Sequence, residues 1–85
     1  MLSNATSMKK SDLLKIIGSN VKRIRLSNGF AQIDLASRVV GSIDTTNISR
    51  IESGRTNPTI FTLYRIANAL EVPVSELTTL DNPED

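Results

Sequence analysis

The residues of this chain that are best suited to recognition chemistry lie in one short stretch, DTTNISRIESG, at positions 44–54. If each residue advances about 100° around a helix, one side of the stretch carries only short hydrogen-bonding side chains and a single Arg. These outward residues are Thr45, Thr46, Ser49, Arg50 and Ser53. Short polar side chains let a helix backbone approach another surface closely, and Thr methyl groups can pack on thymine methyls. The pattern indicates either a contact surface or an ordinary polar helix face.

The other side of the same stretch places a carboxylate among apolar residues, because Glu52 falls beside Ile48 and Ile51. A buried carboxylate without a partner costs several kcal/mol, so Glu52 requires a partner if it is buried. Arg25 is the candidate, since it lies at the inner edge of the first predicted helix and can donate two hydrogen bonds to a carboxylate. The alternative is that Glu52 lies at the margin of the core, in contact with water.

Hydrophobic spacing and helix-end signals predict that an all-α fold of five short helices positions these residues. Ser11 with Asp12 starts the first helix, and Asn28 with Gly29 stops it. The predicted helices cover approximately residues 11–27, 32–39, 45–53, 60–70 and 73–80.

The later helices are defined by their first and last residues. Asp44 caps the third helix and Gly54 ends it, while Thr59 caps the fourth. Pro73 is suited to be the first residue of the fifth helix, which runs toward Leu80. The buried stripe predicted for the fourth helix consists of Ile60, Leu63, Ile66, Ala67 and Leu70.

The composition excludes several kinds of site. The chain has no Cys and no His, which leaves no thiolate metal site, no cysteine nucleophile and no His base. Neither a carboxylate pair for acid–base work nor a phosphate-cradling Gly loop is present. We therefore expect no enzymatic activity, no metal and no cofactor. No apolar run is long enough to cross a membrane, and no apolar signal core is found, which predicts a soluble cytoplasmic protein.

The length of 85 residues predicts one domain. We expect a disordered segment over residues 1–10, the folded domain over residues 11–80 and an acidic tail over residues 81–85. The charge is uneven: all ten Lys and Arg lie between Lys9 and Arg65 against four acids in residues 1–65, a net +6, and residues 66–85 carry five acids and no base, a net −5. A net positive charge on residues 1–65 is what a phosphate-binding surface requires.

Five segments in a fixed order, IGSNVKRIR, NGFAQIDLA, ISRIESGRTNP, LYRIANALEV and VSEL, carry a resemblance to a known family. From Ile17 to Leu77 the chain resembles the helix-turn-helix family of phage repressors and Cro, often called the XRE family. In size it is similar to restriction–modification controller proteins and small stand-alone repressors. The resemblance implies that Arg25 and Glu52 form a structural ion pair between the first and third helices.

The same resemblance implies a DNA-binding role for the third helix, which the family places in the major groove. The residues that it points to as base contacts are Thr45, Thr46, Ser49 and Arg50. Arg50 would take the two acceptors of a guanine, and the Thr and Ser positions would read less selectively. The expected phosphate contacts are Gln32, Asn47, Ser53, Arg55 and Asn57.

The chain departs from the family pattern at two places. Ala31 stands where the family usually has a Ser or Thr cap, which removes a contribution of about 1 kcal/mol. The stretch from Ala36 to Ile48 is two residues longer than the common pattern, and the extra length falls around VVGSID. It either extends the second helix or loosens the turn, and so affects the angle of the third helix.

The function expected from these features is sequence-specific regulation of transcription, as a repressor or autoregulator. One such domain covers only half a site, so we expect a homodimer on a roughly palindromic operator in double-stranded DNA. The expected dimer surface is the set of late apolar residues, which could equally be ordinary core: Val72, Val74, Leu77 and Leu80. The alternative is an antitoxin-type module that mainly holds a toxin or other protein partner through its acidic tail.

Overall fold

The computed structural model describes residues 8–80, which form five α-helices and contain no strand. The helices are α1 (Lys10–Ser27), α2 (Gln32–Arg38), α3 (Thr45–Glu52), α4 (Ile60–Leu70) and α5 (Val74–Thr78). The all-α prediction is therefore confirmed. Residues 1–7 of the predicted disordered segment and the whole predicted acidic tail lie outside the described residues. None of the described helices is long and apolar enough to span a membrane.

Two of the predicted helix starts are formed as their residue types require. The Asp44 carboxylate accepts a hydrogen bond from the Thr46 backbone N–H at 3.3 Å, and the Thr59 hydroxyl accepts one from the Thr62 N–H at 3.0 Å. Each side chain satisfies a backbone donor that has no partner within the first turn of its helix. The positions at which α3 and α4 begin are therefore fixed by local chemistry.

Three other helix ends differ from the prediction. The first helix begins at Lys10, and Lys9 precedes it without a side-chain cap, so the predicted start at Ser11 is one residue late. Pro73 is the residue before α5 and not its first residue, because its backbone is extended, with ψ 154°. The fifth helix ends at Thr78, before the predicted Leu80.

One hydrophobic core joins all five helices. Its twelve buried residues are Val21, Ile24, Leu35, Ala36, Val39, Ile48, Ile51, Leu63, Ile66, Ala67, Leu70 and Leu77. The buried stripe predicted for α4 is confirmed except at its first residue. The prediction is wrong for Ile60, because this residue lies in the first turn of α4, beyond the edge of the core, and is exposed.

Gly18 allows α1 and α3 to pack with their backbones in contact. A Cβ atom at this position would collide with the carbonyl oxygen of Ile51 and would lie 2.6 Å from that of Glu52. Real Cβ atoms do not approach backbone oxygens so closely, so only glycine fits at this place in α1. The last turn of α3 therefore rests on the backbone of α1.

The extra length between α2 and α3 forms a defined turn. The second helix ends at Arg38, so the added residues do not extend it. Gly41 and Ser42 adopt positive φ values of 83° and 59°, and the Ser42 N–H donates to the Val39 carbonyl at 2.9 Å. The Arg65 guanidinium of α4 holds the turn, since its Nε donates to the Val40 carbonyl at 3.0 Å and its Nη2 to that of Ser42 at 2.8 Å. The turn is longer than expected for the family, but it is bonded to α4.

Candidate nucleic-acid interface

The outward side of α3 carries the four residues predicted to contact bases. Thr46 and Arg50 are exposed, and Thr45 and Ser49 are half-buried. Within residues 8–80 none of these four side chains makes a hydrogen bond, although each can donate one and the three hydroxyls can also accept. The structure thus brings the four together on one face, with their hydrogen-bonding capacity unused.

The carboxyl end of α3 is closed by two backbone hydrogen bonds around Gly54. The Gly54 N–H donates to the Ile51 carbonyl at 3.1 Å, and the Arg55 N–H donates to the Arg50 carbonyl at 2.9 Å. This is the Schellman arrangement, which requires the positive φ of 75° that Gly54 adopts. The motif places Arg55 directly after the end of α3, beside the outward face.

Of the residues predicted to contact phosphate, two meet in the segment that follows α3. Arg55 Nε donates to the hydroxyl of Ser53 at 2.8 Å, and both residues are exposed. Asn57 is exposed two residues further along the same segment, whereas Asn47 is half-buried on α3 itself. The structure therefore groups Ser53, Arg55 and Asn57 at one end of α3 and leaves Asn47 apart from them.

Lys15 of α1 is a candidate contact that the sequence reasoning missed. A Cβ atom added to Gly54 would lie 2.8 Å from Lys15 Cγ, so the segment after α3 packs directly on this lysine. Lys15 is exposed and lies off the apolar stripe of α1. That off-stripe position is a signal in the sequence, but it does not say which end of α3 the lysine approaches. Its charge adds to that of Arg55 at the same edge of the domain.

A buried ion pair holds α3 from its inner side. Arg25 Nε donates to Glu52 Oε2 at 2.6 Å, and Arg25 Nη2 donates to Glu52 Oε1 at 3.0 Å. The two side chains are only 6% and 3% exposed, so Glu52 does not lie at a solvated margin. Arg25 Nη1 donates in addition to the Phe30 carbonyl at 2.7 Å. These bonds join three parts of the chain: α1, α3 and the connection between α1 and α2. Together they form one polar cluster in which the charges are paired.

Gln32 connects this buried cluster to the surface. Its Nε2 donates to Glu52 Oε1 at 3.1 Å, and the residue is half-buried at the start of α2. An amide nitrogen carries two hydrogens, so a second donor remains on Gln32. Because Gln32 is the first residue of α2, its backbone N–H also has no acceptor within the helix.

At the start of α2, one of the two hydrogen bonds of a capping box is present. The Asp34 carboxylate accepts from the Ala31 N–H at 2.8 Å, but Ala31 has no side-chain acceptor to return a bond, as the sequence predicted. The backbone donors of the first turn of α2 are consequently not covered by a cap.

The late apolar residues that were predicted for a dimer surface differ in how far they are exposed. Leu77 is fully buried because α5 packs it into the core, which fits the alternative that this residue is ordinary core. Val72 and Val74 are partly buried against the same core, and only Leu80 is exposed. The amide of Asn20 on α1 ties down the chain after α5 by donating to the carbonyls of Leu77 at 3.0 Å and Thr79 at 2.8 Å. Leu77 thus anchors a segment whose other residues are half-buried or exposed.

Comparison with known proteins gives a consistent family. A family model described as helix-turn-helix matches residues 21–77, which include the described helices from the middle of α1 to α5. A relative from Sinorhizobium fredii, named as the uncharacterised helix-turn-helix-type transcriptional regulator y4dJ, is 40% identical over 68 residues. The alignment covers 80% of this chain and 86% of that relative.

Two solved structures share the arrangement of helices. The hypothetical transcription factor NHTF from Neisseria is 26% identical, with a TM-score of 0.76 over 91% of this chain and 84% of its own. The restriction-modification controller protein C.AhdI from Aeromonas hydrophila is 29% identical, with a TM-score of 0.69 over 78% of this chain and 96% of its own. All the residues of the candidate interface except Lys15 lie inside the region that the family model matches.

Proposed function

This chain belongs to the helix-turn-helix family, and from that membership we propose that it is a sequence-specific DNA-binding regulator of transcription. The observation that carries the proposal is the outward face of α3. Its four side chains have no hydrogen-bond partner within residues 8–80, and α3 is fixed from behind by the pair of Arg25 and Glu52. Such a helix is held rigidly, and its outward face has short side chains with unused hydrogen-bond donors and acceptors. These properties suit a helix that contacts base edges in the major groove.

Base reading in this proposal depends most on Arg50. Its guanidinium can donate two hydrogen bonds to O6 and N7 of one guanine, a contact that discriminates against the wrong base by about 1–3 kcal/mol. The hydroxyls of Thr45, Thr46 and Ser49 can donate to or accept from several bases, and the Thr methyls can contact thymine. Arg50 thus sets the preference for a guanine, and the three hydroxyl residues refine it.

Contacts to the phosphate backbone position α3 in the groove. We assign Arg55, with Ser53 and Asn57, to the backbone at the carboxyl end of α3, and add Lys15 to this set because of its contact with Gly54. The remaining predicted phosphate contacts are Gln32, at the start of α2, and Asn47. Phosphate contacts fix orientation and carry no base preference.

The proposed target is a roughly palindromic operator that a homodimer occupies, with one α3 for each half-site. A protein bound there can repress transcription by covering the promoter, without contacts to other proteins. If the operator lies upstream of the protein's own gene, the protein regulates its own synthesis. We place this activity in the cytoplasm. The antitoxin-type alternative, with a toxin or other protein as main partner, has no observation that favours it over DNA binding.

The test is protection mapping and gel shift on DNA taken from upstream of the protein's own gene, with wild type, Arg50→Ala and a matched control. Arg23→Ala is the control, because it removes the same charge from the side of α1 that bonds Asn20, next to the end of α5. We expect a specific protected site for wild type and the control, and its loss in Arg50→Ala. Equal loss in both variants would contradict base reading by Arg50. No specific site, together with capture of the neighbouring gene's product, would favour the antitoxin reading.

A further inference from the structure

Four large apolar residues are exposed on one side of the domain, where α4 passes the long turn. Val40 is 80% exposed, Ile60 72%, Phe61 67% and Tyr64 51%. We call these four residues the α4 patch. The chain has only three aromatic residues, and two of them lie in this patch. Water-exposed aromatic residues in such a group are typical of a surface that another protein covers.

The α4 patch has a ridge and a groove side by side. The rings of Phe61 and Tyr64 are stacked, with centroids 6.4 Å apart and an angle of 20° between their planes. Beside them runs an open groove of about 460 Å³, lined by Val40, Gly41, Phe61, Tyr64, Arg65 and Asn68. Val40 and Gly41 of the turn line this groove together with residues of α4. A projecting aromatic pair and an apolar groove thus occur on the same face.

The positive charge at this surface, on Arg65, is hydrogen-bonded to carbonyl groups of the same domain. Within the described part of the chain, Arg65 is the one charged residue that lines the groove, and its guanidinium donates to the carbonyls of Val40 and Ser42. It also lies 5.9 Å from the centroid of the Phe61 ring, within reach of a cation–π contact. Among residues 8–80, no acidic residue lines the groove. Two copies of this surface can meet without strong repulsion, and an acidic partner would find its counter-charge already engaged.

We propose that the α4 patch is the surface through which two copies of this chain associate. A two-fold interface presents the same residues from both copies and must be self-complementary. The aromatic pair Phe61 and Tyr64 of one copy can pack against the groove of the other copy, and the same contact is then repeated in reverse. The inference rests on the proposed function, in which two copies share one operator, and it replaces Val72, Val74, Leu77 and Leu80 as the interface.

The size of the patch sets the strength of the dimer. The four residues expose on the order of 500 Å², which is near the upper end for apolar patches on monomers. Two such patches bury about 1,000 Å² together, the lower limit for a specific interface. The dimer is accordingly weak in solution and is completed on DNA. The patch begins at Ile60, three residues after the exposed Asn57, so it lies next along the chain to a residue assigned to the DNA backbone.

The first experiment is sedimentation equilibrium of the full chain up to millimolar concentration. Wild type should show a monomer–dimer equilibrium, and Phe61→Ser or Tyr64→Ser should raise its Kd about tenfold or more, as loss of a central interface aromatic does. Leu26→Ser and Leu80→Ser are the matched controls, since both residues are exposed and apolar outside the patch. Wild type that stays monomeric, or a dimer lost in Leu80→Ser and kept in Phe61→Ser, overturns the inference.

Cysteine cross-linking adds a test that does not depend on weak affinity, because the chain has no Cys of its own. Single substitutions Phe61→Cys, Tyr64→Cys and Asn68→Cys should include one that forms a disulfide dimer readily, and Leu80→Cys should not. Cross-linking of Leu80→Cys alone overturns the inference. If the patch dimerises but no DNA is bound, the inference stands and the proposed function fails. If a monomer binds its DNA site, the inference fails and DNA recognition stands.

Discussion

Replacing Glu52 with Gln is expected to cost about 3–5 kcal/mol of unfolding free energy, the usual cost of removing one partner of a buried ion pair. The Glu52 carboxylate accepts three hydrogen bonds: two from Arg25, at 2.6 and 3.0 Å, and one from Gln32 at 3.1 Å. Gln has the same shape but no charge, and its amide must turn a nitrogen toward one of the donors. The Arg25 side chain, which is 6% exposed, is then left with an uncompensated charge.

The loss is large relative to the whole domain. Small domains have a total stability of about 5 kcal/mol at the low end, so much of the Glu52→Gln protein would be unfolded near 37 °C. Loss of DNA binding in this variant would follow loss of the fold and not loss of a contact. Glu71→Gln is the matched control: it makes the same chemical change at an exposed site and should stay within about 0.5 kcal/mol of wild type.

The assay is a double-mutant cycle by urea denaturation, with Arg25→Met, Glu52→Leu and the two together. We expect each single change to destabilise strongly and the double change to recover part of the stability, because no buried charge remains without a partner. A coupling energy below about 0.5 kcal/mol would refute the reasoning. It would mean that water compensates Glu52 and that the two hydrogen bonds contribute nothing net.

Four further changes test the site and its supports. Arg50→Ala should weaken specific DNA binding by about 1–3 kcal/mol with an unchanged melting temperature, and a lower melting temperature at constant affinity would contradict its outward role. Arg55→Ala should weaken binding to all sequences alike and reduce the salt slope by about one, measured by titration at several salt concentrations; an unchanged slope removes it from the phosphate contacts. Gly18→Ala should cost about 1–3 kcal/mol or more in thermal unfolding, and a neutral result would show that α1 and α3 can separate cheaply. Arg65→Met should speed hydrogen exchange of the Ser42 amide while the α4 amides keep their protection, and equal rates would show that Arg65 does not hold the turn.

Much of α3 could be predicted from the sequence because helical periodicity acts over short distances. The spacing of Ile48, Ile51 and Glu52 defines an inner face, and an inward carboxylate implies a cationic partner. Asp44 and Thr59 act as caps on their own helices, so their roles also follow from local chemistry. These features depend on residues within a few positions of one another, or on one strong charge requirement.

The features that the sequence did not predict depend on how helices meet. Ile60 continues the apolar spacing of α4, yet the core ends before it reaches that residue. Leu77 could face a partner or the core, and only the packing of α5 decides that it is buried. The hydrogen bond from Gln32 to Glu52 joins residues 20 positions apart and follows from the angle between α2 and α3. No local pattern contains that angle.

The contact of α1 with α3 at Gly18 bears on how such a protein can acquire a new DNA target during evolution. Since the backbone carbonyls of Ile51 and Glu52 rest on α1 at a glycine, the docking of α3 there does not depend on the identity of its outward side chains. Substitutions on that outer face can therefore accumulate without tilting the helix. A combinatorial library randomised at Thr45, Thr46, Ser49 and Arg50, with Gly18 kept constant, should yield mostly folded members that differ in the operators they select.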